Sequence, residues 1–235
     1  MNGWPYPGPE PGLIAKERRP TPYLFTPLQI ERLIAAARQA QPQGSLRPHT
    51  LATLLGLLAS TGLRVGEALR LAITDVWLDH TPPLLQIRET KFQKSRLVPL
   101  HATTAEQLAV YAERRAAERY DALSDTFLLS ARGRPVNYSS LQRWFHQRCQ
   151  GLHIWPADEH CRHPCLHSFR HFFAVERLRS WYQTGMDVRE LLPQLAVYLG
   201  HVRPEETFWY RTATPELLAA AAERFQRYAA IGDTP

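Results

Sequence analysis

The chain has 235 residues, of which 44% are hydrophobic, and this predicts a soluble globular protein with one sizeable core. A formal net charge of +6 and a pI of about 9.5 favour a polyanionic partner, although charge alone is weak evidence for nucleic acid. The three cysteines exclude a disulfide framework, and neither a signal peptide nor a membrane-spanning apolar run is found, so a cytoplasmic location without a membrane partner is expected.

The first part of the chain predicts a tail followed by two helices. Residues 1–22 are rich in Pro and Gly and have no apolar period, which is typical of an extended tail or linker ahead of a domain at 23–235. Thr26 and Gln29 have capping-box spacing, so a helix is predicted from there to about residue 40. The run at 50–60 is almost entirely apolar and predicts a buried helix that ends at Gly62.

Arg64 follows this buried helix directly, and an unpaired buried charge is costly. One interpretation is a structural salt bridge with Glu67, which lies at helical spacing from it. The other is that the arginine is retained for function. The local pattern leaves both open.

From Trp77 to Leu100 the sequence predicts a small antiparallel sheet. Short strands are expected at 84–88 and 96–99, on either side of a turn. That turn contains Lys91 and Lys94, and most lysines of hairpin turns are simply solvated.

Two more helices are predicted in the middle of the chain, at 103–120 and at 139–150. Thr103 and Glu106 have capping-box spacing at the start of the first. The second is amphipathic and is expected to be closed by Gly151. Its outward polar residues are candidate DNA contacts, namely Arg143, His146, Gln147 and Arg148.

A dense group of histidines and cysteines occupies residues 160–167. Zinc sites usually have two separated ligand pairs rather than one crowded cluster, so no metal site is expected here.

The last third of the chain brings together residues suited to phosphodiester chemistry. His167 and Arg170 lie three apart and therefore share a helix face. Gly200 is predicted to end a helix at 188–199, which places His201 just beyond it, and Tyr210 follows nine residues later. Arginine binds phosphate oxygens through its planar fork, histidine donates or moves a proton, and a tyrosine hydroxyl is an oxygen nucleophile.

The ordered set H-x-x-R, L-G-H and tyrosine resembles the catalytic half of the tyrosine site-specific recombinases, the phage integrase family. T-G-L-R-x-G-E, at 61–67, resembles the motif that carries the first catalytic arginine of that family. The resemblance covers about residues 23–228. It implies an α+β, mostly helical catalytic domain with a small antiparallel sheet near residues 77–100.

The resemblance also implies a role for each matching residue. Arg64 and Arg170 would bind the scissile phosphate together with His201. Tyr210 would attack it to give a 3′-phosphotyrosyl link, and Lys91 would protonate the leaving 5′ oxygen.

Three further residues have supporting roles in this scheme. His167 would accept a proton or hydrogen-bond the phosphate, Glu67 would orient the site, and Lys94 competes with Lys91 or contacts DNA. No metal or ATP is expected, because the phosphotyrosine bond retains the phosphodiester energy and two guanidiniums occupy the role that Mg²⁺ has elsewhere.

Double-stranded DNA is the implied partner, and a helix after Thr214 would suit contact with a neighbouring protomer on DNA. The separate N-terminal domain of most such recombinases is expected to be absent, and a bacterial, nucleoid-associated location is implied. Two alternatives stay open: topoisomerase-like nicking and resealing, and a non-catalytic DNA-binding remnant that modulates a full-length relative.

Overall fold

A computed structural model describes residues 21–88, 95–118, 120, 124–156 and 161–200. Helices and the strands of one antiparallel sheet, in the order β1-β2-β3, make up the described part. The helices are α1 (Pro27–Arg38), α2 (Arg47–Thr61), α3 (Val65–Leu69), α4 (Ala102–Ala117), α5 (Tyr138–Gly151), α6 (Ser168–Gln183) and α7 (Val188–Leu199). The strands are β1 (Val76–Trp77), β2 (Leu84–Ile87) and β3 (Arg96–Pro99). The predicted fold class, mostly helical with a small antiparallel sheet, is confirmed.

Helix α2 lies at the centre of the core, as its apolar sequence predicts. It packs against α1, α3, α4 and α6. Leu54, Leu55 and Leu58 are completely buried along it, and each contributes roughly 1.5–3 kcal/mol of hydrophobic stabilisation. Because several helices cover α2, its two ends are fixed in position, and its C-terminal end leads directly to Arg64.

Gly62 is the residue that ends α2, and its conformation requires glycine. Its φ of 63° is in the left-handed region. A Cβ atom there would also lie 2.5 Å from Cδ1 of Phe173. The absence of a side chain therefore lets α6 approach the end of α2 closely.

The helix limits agree with the sequence in most places, and two predictions about helix ends were wrong. The capping box of Thr26 and Gln29 is present in α1. In α4, however, the predicted pair of Thr103 and Glu106 does not cap the helix, because His101 has extended backbone and its Nδ1 accepts from the Thr103 N–H at 3.4 Å. Gly151 is the last residue of α5 rather than its cap.

The sheet places β3 beside the end of α7. Ile87 of β2 pairs with Arg96 of β3 at one end of the sheet. Lys91 and Lys94, which the sequence predicts in a turn between these strands, lie outside the described residues. No helix among the described residues is both long and apolar enough to cross a membrane.

Candidate active site

Three arginines from different parts of the chain converge on the C-terminal end of α7. Arg96 donates from Nε to the Tyr198 carbonyl at 3.0 Å, and Arg64 donates from Nη2 to the Gly200 carbonyl at 3.2 Å. Arg170 donates from Nη2 to the carbonyl of the residue between them, Leu199. The end of a helix carries partial negative charge, which favours cations there. Two arginines predicted from sequence, Arg64 and Arg170, therefore bind the last two carbonyls before His201.

Gly200 ends α7 with a left-handed φ of 67°, as the sequence predicts. The predicted α7, including Pro193 within it, agrees with the structure at both ends. His201 and Tyr210 follow this glycine and lie outside the described residues, so their predicted roles stay predictions.

Arg64 and Glu67 form the salt bridge that the sequence suggested. Arg64 is the N-cap residue of α3, and the Glu67 carboxylate accepts from its backbone N–H at 2.9 Å and from its Nη1 at 3.1 Å. The Arg64 side chain is nevertheless 36% exposed. The guanidinium is thus held by a structural ion pair and remains partly open to solvent, so the two interpretations of the sequence are compatible.

Arg96 is a second arginine that binds Glu67, and it was not predicted from the sequence. Its Nη1 and Nη2 donate to the two carboxylate oxygens at 3.0 and 2.9 Å. Burial raises the pKa of Glu67, but the hydrogen bonds and charges of Arg96 and Arg64 outweigh burial and hold that pKa at about 2. A signal was available: strand alternation puts Arg96 on the same face as buried Val98, where a charge needs a partner.

Arg170 is the most deeply buried charge at the site, with 1% of its surface exposed. It belongs to α6, and its Nη1 donates to the Gly62 carbonyl at 2.9 Å. Backbone carbonyls of both α2 and α7 therefore fix this guanidinium. Contact between Arg170 and a phosphate requires the atoms that cover it to move aside.

His167 lies at the start of α6, and its ring meets that of His171 edge-to-face with 4.8 Å between the ring centroids. Burial by neighbouring atoms, followed by the charges of Arg170 and Arg64, lowers the pKa of His167 to about 4. His167 is also exposed to solvent, which screens those charges. Because its pKa is lowered from an ordinary value of 6.5, the imidazole is neutral at pH 7. Burial, His167 and Arg170 likewise lower the pKa of His171, to about 3.

A cavity of about 310 Å³ lies beside Arg64 and His167. Helix α5 contributes Tyr138, Gln142 and His146 to its wall, at the four-residue spacing of one helix face. Of the outward residues predicted as DNA contacts, His146 therefore lines this cavity.

Arg143 and Arg148 are exposed on α5, but they are not among the residues that line this cavity. Their predicted contacts with DNA stay predictions. Helix amphipathicity identified the outward face of α5, but it did not show which part of that face meets Arg64.

The histidine and cysteine cluster is spread out. The ring of His163 packs against Trp155 with centroids 4.4 Å apart, and Cys165 is exposed. Within the described ranges, no three His, Cys, Asp or Glu side chains are placed to hold a metal ion, and His160 lies outside those ranges.

Comparisons with known proteins agree with this architecture. The sequence pattern of the Phage integrase family matches residues 24–216. A putative integrase/recombinase, y4rE of Sinorhizobium fredii, is 43% identical over 207 residues, which are 87% of this chain and 64% of that protein. The tyrosine recombinase XerA of Thermococcus kodakarensis is 27% identical over 89% of this chain and 64% of its own length. This chain therefore spans just under two thirds of both relatives.

Solved structures give the same fold. The crystal structure of XerA recombinase superposes with a TM-score of 0.66 at 24% identity, over 88% of this chain and 64% of that one. The XerH recombinase in its post-cleavage complex gives 0.65 at 20% identity, over 89% of this chain and 54% of that one. At these identities the likeness establishes the fold, which is the fold of the tyrosine recombinase catalytic domain.

Proposed function

Because the chain belongs to the phage integrase family, we propose that it cleaves and rejoins DNA strands through a 3′-phosphotyrosyl intermediate. The observation that carries this proposal is the convergence of Arg64 and Arg170 on the last carbonyls before His201. Two guanidiniums that bind neighbouring carbonyls could together bind the non-bridging oxygens of one phosphate.

The proposed reaction exchanges one phosphodiester for another. The Tyr210 oxygen attacks the scissile phosphorus, and the bond to the 5′ oxygen breaks. Lys91 gives that oxygen a proton, so that a free 5′-hydroxyl leaves. Arg64, Arg170 and His201 stabilise the charge on the non-bridging oxygens.

His167 is proposed to take the proton that the tyrosine hydroxyl loses or to hydrogen-bond the phosphate. Its lowered pKa supports the first role, because a neutral imidazole can accept a proton at pH 7. The phosphotyrosyl bond retains the energy of the original phosphodiester, so rejoining requires no nucleotide. We expect the covalent complex to form equally well in the presence of EDTA.

Double-stranded DNA is the proposed substrate. The XerH structures are described as bound to difH substrate, and the lambda integrase structure as a dimer bound to a COC′ core site. A formal net charge of +6 supports the same kind of partner for this chain. Assembly on DNA through the segment after Thr214 is part of this proposal.

Trapping on a suicide substrate tests the proposed reaction. Duplexes carrying the inverted repeats beside the gene, each nicked next to the candidate cleavage position, should give a covalent protein–DNA band. Tyr210→Phe should abolish that band, whereas Tyr182→Phe, a tyrosine on α6 outside the proposed catalytic set, should retain it. Absence of a band with every candidate duplex would contradict the proposal and favour a DNA-binding remnant.

A second assay separates the outcomes of this chemistry. Joining of strands from two differently labelled duplexes is expected for a recombinase. Relaxation of a supercoiled plasmid without such joint products would instead indicate nicking and resealing.

A further inference from the structure

We propose that Arg96 is a positioning residue of this site, which holds the Glu67 carboxylate and the end of α7 in one arrangement. It thereby places Arg64 and Gly200 for the phosphate. The inference rests on the proposed function and adds to it a residue that acts through Glu67 and the end of α7.

The Arg96 guanidinium uses three donors on two different elements. Nη1 and Nη2 form a two-pronged contact with Glu67 at 3.0 and 2.9 Å, and Nε donates to the Tyr198 carbonyl at 3.0 Å. Only arginine presents such donors in a fixed plane, whereas lysine has a single point charge on a flexible stem. The side chain is 14% exposed, so water competes little for these bonds.

These contacts close into a ring that includes the proposed phosphate ligand. Arg96 binds Glu67, Glu67 binds Arg64, and Arg64 binds the Gly200 carbonyl. The chain then returns two residues to Tyr198, which binds Arg96 again. Displacing one member of a ring displaces its neighbours, so the position of Arg64 depends on Arg96.

Gly200 provides independent evidence that the close approach of Arg96 to α7 is built into the sequence. A Cβ atom at this position would lie 3.2 Å from Nη1 of Arg96, a tight contact. Glycine therefore serves the left-handed turn and also gives the guanidinium room against the helix end.

Arg115 shows what a purely structural buried arginine looks like in the same molecule. It is 7% exposed and donates to the carbonyls of Ser124, Thr126 and Phe127. Those carbonyls belong to one local segment. Arg96, by contrast, joins a carboxylate of α3 to a carbonyl of α7, and both elements carry or adjoin proposed catalytic residues.

The test compares Arg96→Gln and Arg96→Lys with Arg88→Gln. Arg88 is the matched control, because it follows Ile87, the strand partner of Arg96, and pairs with another buried carboxylate, Asp75. The readouts are DNA affinity and the single-turnover rate of covalent complex formation at saturating protein. We expect Arg96→Gln to lower that rate about 10- to 100-fold, by the loss of positioning, with DNA affinity changed less than about threefold.

Two further readouts separate positioning from a general loss of stability. Arg96→Lys should restore only part of the rate, because lysine cannot make the two-pronged contact and the carbonyl bond together. In Arg96→Gln the loss of rate on acidification should also begin at a higher pH than in the wild type, because Glu67 loses a strong contact that lowers its pKa. Arg88→Gln should follow the wild type.

The possible failures are distinguishable. If the wild type gives the Tyr210-dependent band and Arg96→Gln cleaves as fast as Arg88→Gln, the positioning role is wrong and the proposed function stands. If the wild type gives no band, the proposed function fails and hydrogen exchange decides the role of Arg96. Faster amide exchange at 195–200 in Arg96→Gln but not in Arg88→Gln would support positioning, and unchanged exchange would overturn it. Should Arg96→Gln fail to fold, Arg96→Lys takes its place in every comparison.

Discussion

Glu67 and Asp75 are two buried carboxylates that accept the same kind of backbone hydrogen bond but have different arginine partners. Glu67 accepts from the backbone N–H three residues before it, that of Arg64, at 2.9 Å, and Asp75 accepts from that of Ala72 at 3.0 Å. They are 4% and 3% exposed, and each forms an ion pair with arginine. Within the four residues that end at each carboxylate, the two sites therefore make the same backbone contact.

The partners make the difference. Arg88, which pairs with Asp75, has 55% of its side chain exposed. Arg64 and Arg96, which pair with Glu67, both continue to carbonyls at the end of α7. Asp75 therefore forms a local ion pair, whereas Glu67 is connected through its two arginines to the end of α7. Of the two carboxylates, Glu67 is the one whose arginine partners bind the end of α7, next to the proposed phosphate site.

The largest effect on the cleavage rate is expected for the arginines of the two ion-pair networks, the one around Glu67 and the one around Asp75. Arg64→Ala should slow covalent complex formation by about 10²–10³-fold, because a donor to the charged oxygens is lost. Arg88→Ala should change the rate by less than about threefold, since its guanidinium is half exposed and pairs with Asp75 rather than with Glu67. Single-turnover cleavage of the suicide duplex measures both. Equal losses would show that the two networks do not differ in function.

The next effect is on stability. Glu67→Ala leaves Arg64 and Arg96 without their shared carboxylate and should cost about 3–5 kcal/mol of unfolding free energy. Asp75→Ala loses a cap and a pair with an exposed arginine, which amounts to roughly 1–2 kcal/mol. Urea unfolding of the two variants measures the difference. A larger loss for Asp75→Ala would reverse the assignment of the two carboxylates.

The pH dependence of stability separates Glu67 from the two histidines. The folded pKa of Glu67 is about 2, below the ordinary value of 4.5, so its contribution is complete above pH 4.5 and is lost as the pH falls towards 2. The lowered pKa values of His167 and His171 affect stability at a higher pH than Glu67 does. The unfolded chain binds their protons first, so stability falls as the pH drops from about 6.5 to 4.

Melting temperatures between pH 7 and 3 test this order. His171→Gln should flatten the decline between pH 6.5 and 4.5, whereas Glu67→Gln should lower the melting temperature throughout and change the slope only below pH 4.5. Asp75→Asn, in the other network, provides the reference for loss of a buried carboxylate. An unchanged slope in His171→Gln would contradict the lowered histidine pKa.

Most of the fold was predictable because its signals are local. Periodicity and caps located α1 and α7, and the turn signals at Gly62 and Gly200 gave two residues with the left-handed backbone they require. At α4 the predicted start was one residue late, because His101 caps the helix instead of Thr103. The alternation of apolar and polar residues identified β3, but it did not show that its first residue, Arg96, pairs with Glu67.

The candidate site was predictable only as a set of residues. The pairing of Arg64 with Glu67 is visible at a spacing of three, whereas Arg96 contacts a carboxylate 29 residues upstream and a carbonyl 102 residues downstream. Bonds from arginine to backbone carbonyls leave no trace in residue type, because every residue has a carbonyl. The deep burial of Arg170 was likewise invisible, since it depends on how α6 meets α2.

Gly200 and Gly185 share a left-handed backbone and differ in whether Arg96 lies beside them. Gly200→Ala and Gly185→Ala both put a side chain at a left-handed φ, 67° and 75°, which costs roughly 1–2 kcal/mol in each. At Gly200 the new Cβ would also press on Arg96, whereas at Gly185 no atom of the described residues beyond its chain neighbours lies within 4 Å of it. We expect similar thermal destabilisation and slower cleavage only in Gly200→Ala. Equal cleavage rates would show that Arg96 yields without consequence.

The smallest effect concerns cations that belong to neither network. Arg143→Ala should weaken DNA binding only a few-fold and lower the slope of log affinity against log salt by about 1, as expected for one lost phosphate contact. Arg148→Ala should behave in the same way. Arg179→Ala, which removes the same charge from a residue paired with Glu176 on α6, is the control and should leave the slope unchanged. Fluorescence anisotropy over a salt series measures each slope. If all three variants share the wild-type slope, the Arg143 and Arg148 side chains do not contact phosphate, and this predicted DNA contact is wrong.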